Sequence, residues 1–150
     1  SEWISFSNVL TADSSDGTLK GVCLCCDFGK IWTYISVLFV FEEYRGQGIG
    51  HALFNEACDI SAARKRNIYT SSRNSTVINM MKEEGFSIFD TLYKLPRPYK
   101  RYEFLFFIRL VKWIASYYRI KEMFRKSKKF KDSYKDSSDF VYGIKTCPKP

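Results

Sequence analysis

Apolar and polar positions along the chain fall into a short alternating stretch, two long apolar runs, and then helical spacing. Trp3 to Leu10 alternates loosely and ends in Thr11-Ala12-Asp13-Ser14-Ser15-Asp16-Gly17, a strong turn signal. Leu19 to Phe28 predicts a strand, Gly29-Lys30 a tight turn, and Ile31 to Phe41 a second, largely buried strand. Those two strands are expected to pair as an antiparallel hairpin. From about Gly50 to Arg66, Leu53, Ala57, Ile60 and Ala63 share one helical face, with Phe54 and Cys58 beside it. Asn67 to Ser72 is a short β-rich run. Ser75 to Glu84 reads as a helix stopped by Gly85, and Phe86 to Leu95 as a strand closed by Pro96-Arg97-Pro98. Tyr102 to Leu110 fits a strand or the start of a long helix, and its aromatic enrichment favours the strand. Val111 to Arg125 has helical spacing, and the Lys/Ser/Asp-rich Lys126 to Asp139 predicts a mobile stretch. The order of elements is that of an α/β fold with a mixed sheet.

Composition narrows the class. The chain has 150 residues, 45% hydrophobic and 27% charged, which suits one globular domain and excludes a disordered or collagen-like chain. Its formal charge of +8 is unevenly placed. Residues 1–99 hold 10 Lys/Arg against 11 Asp/Glu, and residues 100–150 hold 14 against 5. Five cysteines, three of them at Cys23, Cys25 and Cys26, favour free buried thiols in a reducing compartment over a disulfide frame, so a cytoplasmic location is expected. No metal site is expected, because Cys-Leu-Cys-Cys has no second cluster and His51 is the one histidine. No basic region followed by an apolar run opens the sequence, and no stretch is long and uncharged enough for a spanning helix.

The chemistry concentrates in Val40-Phe41-Glu42-Glu43-Tyr44-Arg45-Gly46-Gln47-Gly48-Ile49-Gly50. A buried strand runs into a glycine loop that opens a helix, and a helix N-terminus offers unpaired N–H groups and a positive dipole end to a pyrophosphate. Arg45-Gly46-Gln47-Gly48-Ile49-Gly50 resembles the Arg/Gln-x-x-Gly-x-Gly/Ala signature of the GNAT superfamily of N-acetyltransferases. Downstream, Asn74, Val77, Met80, Met81 and Gly85-Phe86 resemble its second motif, in which an Asn opens a helix ending in Gly-Phe. The resemblance covers roughly residues 18–110. It implies a mostly antiparallel, twisted mixed sheet flanked by helices, with a shortened N-terminal part and an extra C-terminal helix. The implied division is a GNAT-like acyl-CoA-binding domain over residues 1–110 and a basic helical extension with a mobile tail over 111–150, with Tyr102 to Leu110 as the last strand.

The same resemblance implies residue roles. The backbone of Leu38, Phe39 and Val40 would pair with the pantetheine arm of acetyl-CoA or another acyl-CoA. Arg45 and Gly46, with the N–H groups of Gln47, Gly48, Ile49 and Gly50, would hold the pyrophosphate, and Asn74 would lie beside the pantetheine or thiol. The implied reaction is attack of an amine on the thioester, which needs a base and commonly an acid, plus a donor at the carbonyl oxygen, here a backbone N–H near Val40. Two positions depart from the pattern. Where many members carry a Glu base, this chain has Ser36, and where many carry an acidic Tyr it has Met81, whose thioether has no proton to give. Ser36 and Tyr34 are therefore the candidate catalytic residues, with Tyr69 and Tyr93 as further substitutes, each also accountable as a packed strand aromatic. His51 is a phosphate contact, a base or a plain surface histidine; the last needs no orienting partner.

Two function classes follow. One is an enzyme that transfers an acyl group to an amine of a protein, a small molecule or a nucleic acid. The other is a weak or inactive CoA-binding module whose basic extension binds nucleic acid or a protein partner. Within residues 100–131, Lys112, Arg119 and Lys126 share a helical face opposite Val111, Ile114, Ala115 and Tyr118. That pattern fits nucleic acid, an anionic membrane surface, or simple packing on the sheet. The short N-terminal side leaves the acceptor side open, which suits a macromolecular acceptor or a homodimer that closes the site.

Overall fold

The structure is a computed structural model, and it describes residues 8–28, 30–91 and 140–147. The expectations placed on Tyr93, on Tyr102 to Leu110 and on the helix from Val111 lie outside these residues. In chain order the elements are β1 (Asn8–Asp13), β2 (Leu19–Phe28), β3 (Trp32–Val40), α1 (Ile49–Ala63), β4 (Asn67–Ser72), α2 (Ser75–Glu83), β5 (Ser87–Phe89) and β6 (Val141–Lys145). They form one mixed sheet of order β1-β2-β3-β4-β6-β5, flanked by two helices. Among the described residues only β3 and β4 pair in parallel. Helix α1 supplies the crossover that a parallel pair requires.

Most predicted elements appear where the pattern puts them, with differences at three places. First, β1 runs through Thr11 and Ala12 to Asp13, so the turn is confined to Ser14–Thr18. Asp16 closes it by accepting the Thr18 N–H at 3.0 Å, which holds the carboxyl below its usual range. Second, the strand after Gly85 is short, Ser87–Phe89. Third, the division at residue 110 puts residues 141–147 in the tail, whereas the sheet takes Val141–Lys145 between β4 and β5. Gly143 explains why β6 is faint in sequence yet necessary here: a Cβ at that position would stand 2.5 Å from Met81 Sδ and 3.1 Å from Phe86 Cδ1. The packing needs glycine in a strand, and glycine weakens the strand signal. Residues 92–139, with 14 Lys/Arg and 5 Asp/Glu, therefore connect two neighbouring strands rather than follow the domain.

The two faces of the sheet are built differently. On the helix side, Cys23, Cys25, Ile35 and Ile68 pack against Leu53, Phe54, Ala57 and Cys58 of α1 and Met80 and Met81 of α2. The other face carries a smaller cluster of Trp32, Tyr69 and Ile144, with Tyr34 stacked on Tyr69 at 5.2 Å. No disulfide joins any of the five cysteines, and four of them are buried, as expected. At the far end of the sheet, Asp27 binds Arg64 and Arg66, and Arg66 also donates to the Lys30 and Trp32 carbonyls. This clasp fixes the lower ends of β3 and β4, so any divergence between them opens at the top.

Candidate acyl-CoA site

The divergence begins at one residue pair. Strands β3 and β4 are in register from Trp32↔Asn67 to Ile35↔Thr70, and the Thr70 hydroxyl donates to the Ile35 carbonyl at 3.2 Å. Above that point the pairing stops, because each strand is drawn to its other neighbour. Leu24 pairs with Val37 but Cys25 with Ile35, so Ser36 is an extra residue, a bulge that bends β3. Ser71 and Ser72 meanwhile pair with Tyr142 and Val141 of β6. The result is a cleft of about 280 Å³, with a polar rim of Ser36, Thr70, Ser71 and Ser72 and an apolar lining of Ile35, Val37, Leu38, Phe54 and Val77.

Main-chain direction above the bulge follows from the pairing. The Phe41 N–H donates to the Lys20 carbonyl at 3.0 Å. Alternation then turns the main chain of Val37, Phe39 and Phe41 toward β2, and that of Leu38 and Val40 toward the cleft. Of the three residues expected to pair with a pantetheine arm, Leu38 and Val40 are so oriented and Phe39 is not. The Val40 carbonyl already accepts from Arg45 Nε at 3.2 Å. Arg45 therefore ties the loop back onto the strand in this structure.

The glycine loop lies directly above. A short 3-10 turn, Glu42–Tyr44, leads from β3 into Arg45-Gly46-Gln47-Gly48. Gly46 and Gly48 have φ of +78° and +77°, the left-handed region that favours glycine, and a Cβ on either would meet nothing within 4 Å. They serve backbone direction and leave open space above the backbone. Gly48 is the N-cap of α1, and the first intrahelical bond runs from the Ala52 N–H to the Gly48 carbonyl. The N–H groups of the first helical turn lack intrahelical acceptors and point up, beside the upper end of the cleft. A pyrophosphate fits such an end, and the Leu38–Val40 edge leads from it into the cavity. The residues present thus fit an acyl-CoA.

Other predicted residues are placed less directly. Ser36 lies on the rim, whereas Tyr34 lies one step below, stacked on Tyr69 and outside the cavity lining. The structure does not bring this pair together at the cleft. Asn74 caps α2: its Oδ1 accepts the Thr76 N–H at 2.8 Å, and its own N–H donates to Ser72 Oγ at 3.0 Å. His51 pairs with Glu83 at 3.1 Å and links α1 to α2. Met81 is fully buried in the core. The residues missed in the sequence are Thr70, Ser71 and Ser72. Their signal is positional: they end a strand parallel to β3, and ligands in such sheets sit beyond the carboxyl ends of parallel strands. No cysteine is among the residues that line the cavity. Burial pushes Cys58 up to about 12, and a hydrogen bond to Cys25 with burial raises Cys23 further.

With the loop, the cleft and the capped second helix in place, comparison with known proteins is decisive at one point. The acetyltransferase (GNAT) family model matches residues 2–86. The chain belongs to the GNAT family. Solved structures similar to it include an Agrobacterium tumefaciens protein assigned as an acetyltransferase (25% identity, TM-score 0.47, 55% of this chain and 60% of that one). Others are a GNAT-family N-acetyltransferase from Escherichia coli in complex with CoA (22%, 0.48, 55% and 47%) and a phosphinothricin acetyltransferase from Sinorhizobium meliloti in complex with AcCoA (21%, 0.48, 54% and 48%). The chain thus spans about half to three-fifths of these proteins, and the family assignment rests on the sequence match. No curated protein matches. Among the described residues no helix is long and apolar enough to cross a membrane, and no group of three metal-ligating side chains occurs.

Proposed function

We propose that this GNAT-family protein binds acetyl-CoA in the cleft between β3 and β4 and transfers its acetyl group to an amine. The observation that supports this most is the continuity of the glycine loop at the start of α1 with the Leu38–Val40 edge and the cavity below it. Acetyl-CoA supplies a thioester: the amine nitrogen attacks its carbonyl carbon, a C–N bond forms, and the C–S bond breaks with its electron pair leaving on the thiolate.

Each residue then has a task. The first-turn N–H groups of α1 hold the pyrophosphate, with Arg45 beside them. The Leu38 main chain and the Val40 N–H guide the arm, and an N–H of this edge stabilises the oxygen that gains charge. The carboxamide nitrogen of Asn74 faces the arm while its oxygen caps α2. Ser36 relays the amine proton through water toward solvent. The thiolate takes its proton from water. Phe54 and Ile35 close the bottom of the cavity and keep it apolar.

A second reading is favoured by Ser36 itself, a hydroxyl where a carboxylate base would act. In it the protein binds acyl-CoA without efficient turnover, and the basic stretch within 100–131, outside the described residues, engages a nucleic acid, an anionic surface or a partner protein. Gly48→Glu tests the shared premise. Native protein at ~100 times the dissociation constant of acetyl-CoA gains about 2.7 kcal/mol, worth roughly 5–11 °C at 2–4 °C per kcal/mol. The variant should keep its fold and lose that shift. If it retains the shift, the loop is not the phosphate site.

A further inference from the structure

The side of β1 to β3 that faces away from α1 and α2 bears on what the acceptor is. Val9, Leu24 and Val37 lie in one cross-strand row, and Thr11, Val22 and Phe39 in the next. Their neighbours Cys23 and Leu38 face the helices, so these rows face away from them. Among the described residues, most of the large exposed apolar side chains gather here: Val9 is 57% exposed, Phe39 43%, Val37 39% and Phe41 36%. Phe39 and Phe41 meet edge to face at 5.1 Å. Only the short Ser14–Thr18 turn joins β1 to β2, so nothing from that connection crosses the face. The strip is continuous with the reaction cleft, because Val37 belongs to both. On the other side Phe54 of α1 and Val77 of α2 line the cleft. An acceptor that reaches the hydroxyl rim from the sheet side crosses the apolar strip. Asp13, a carboxylate on this side, stands two strands from the cleft and accepts from Thr11 Oγ1 at 3.0 Å.

We infer that the acceptor is an amine with an apolar alkyl or aryl body, laid across Phe39 and Val37 with its nitrogen at the hydroxyl rim by Ser36. This rests on the acyl-transfer reading above. Burying apolar body and strip together supplies the binding, and contiguous exposed apolar surface beside a cleft is where such a ligand goes. The test is turnover of octylamine and benzylamine against spermidine and a lysine peptide, using the full chain and acetyl-CoA. Octylamine should be preferred in kcat/KM by at least about tenfold. Phe39→Ser and, separately, Phe41→Ser should raise its KM about tenfold while the acetyl-CoA melting shift stays intact. Preference for spermidine or the peptide, turnover of none of the four, or an unchanged KM in both variants would overturn the inference. So would a native dimer that Phe39→Ser dissociates, since a second copy would then own the face. Absence of any acetyl-CoA shift in the native protein would instead sink the acyl-transfer reading, and this inference with it.

Discussion

The two walls of the cleft are made in different ways. The β3 wall is local. Trp32 to Ala63 runs strand, loop and helix without a break, and its key features are a bulge at Ser36 and two left-handed glycines. The β4 wall is assembled. Ser71 and Ser72 are drawn aside only because Tyr142 and Val141 pair with them from the far end of the chain. One wall binds through backbone geometry that a short segment encodes alone, while the other obtains its position from a long-range strand. Binding chemistry is therefore expected to survive changes that damage the second wall better than it survives changes at the loop.

Substitutions separate the walls. The largest effect is expected at Phe54, fully buried, lining the cavity and packed on Phe86 with ring centres 5.7 Å apart. Phe54→Ala should cost about 3–5 kcal/mol of stability, read by chemical denaturation. A loss under 1 kcal/mol would mean the core does not meet the cleft here. Gly143→Val comes next. Its Cβ collides with Met81 and Phe86, and overpacking should cost about 1–3 kcal/mol. If Gly143→Val were neutral, β6 would not lie between β4 and β5. Asn74→Ala removes the cap of α2, worth about 1 kcal/mol, and on the proposed reading also weakens acetyl-CoA binding. A stability loss with unchanged affinity would make Asn74 a cap only. His51→Gln should cost no more than about 0.5 kcal/mol, since an exposed pair contributes little. Its acetyl-CoA affinity should stay within twofold, and a large drop would make His51 a phosphate contact after all.

Thiol chemistry sharpens the same contrast at no structural cost. At pH 8 Cys147, partly exposed, should react first with a maleimide. Cys23, Cys25 and Cys58 should label only as fast as the sheet opens. Mass spectrometry of timed samples reads the order, and early labelling of Cys58 would contradict its burial between α1 and the sheet.

Residue pattern carried much of this unaided. Leu19–Phe28 was legible as a strand to the residue, as was Asn67–Ser72, because strand alternation and turn residues are local properties. The glycine loop and the Asn74-to-Phe86 motif were legible for the same reason: left-handed φ values and helix caps are set within a few residues of chain. What only the tertiary structure decided was non-local. Nothing within Val141–Lys145 announces that it fills the gap between β4 and β5, and its glycine argues locally against a strand, yet Met81 and Phe86 require that glycine. Nor does local sequence show that Ser36, Thr70, Ser71 and Ser72 share one rim, or that Phe39 turns its main chain from the cleft and its ring to an open face. Those facts depend on which strands pair and in what register, and pairing is chosen by the packing of the whole sheet rather than by any segment in it.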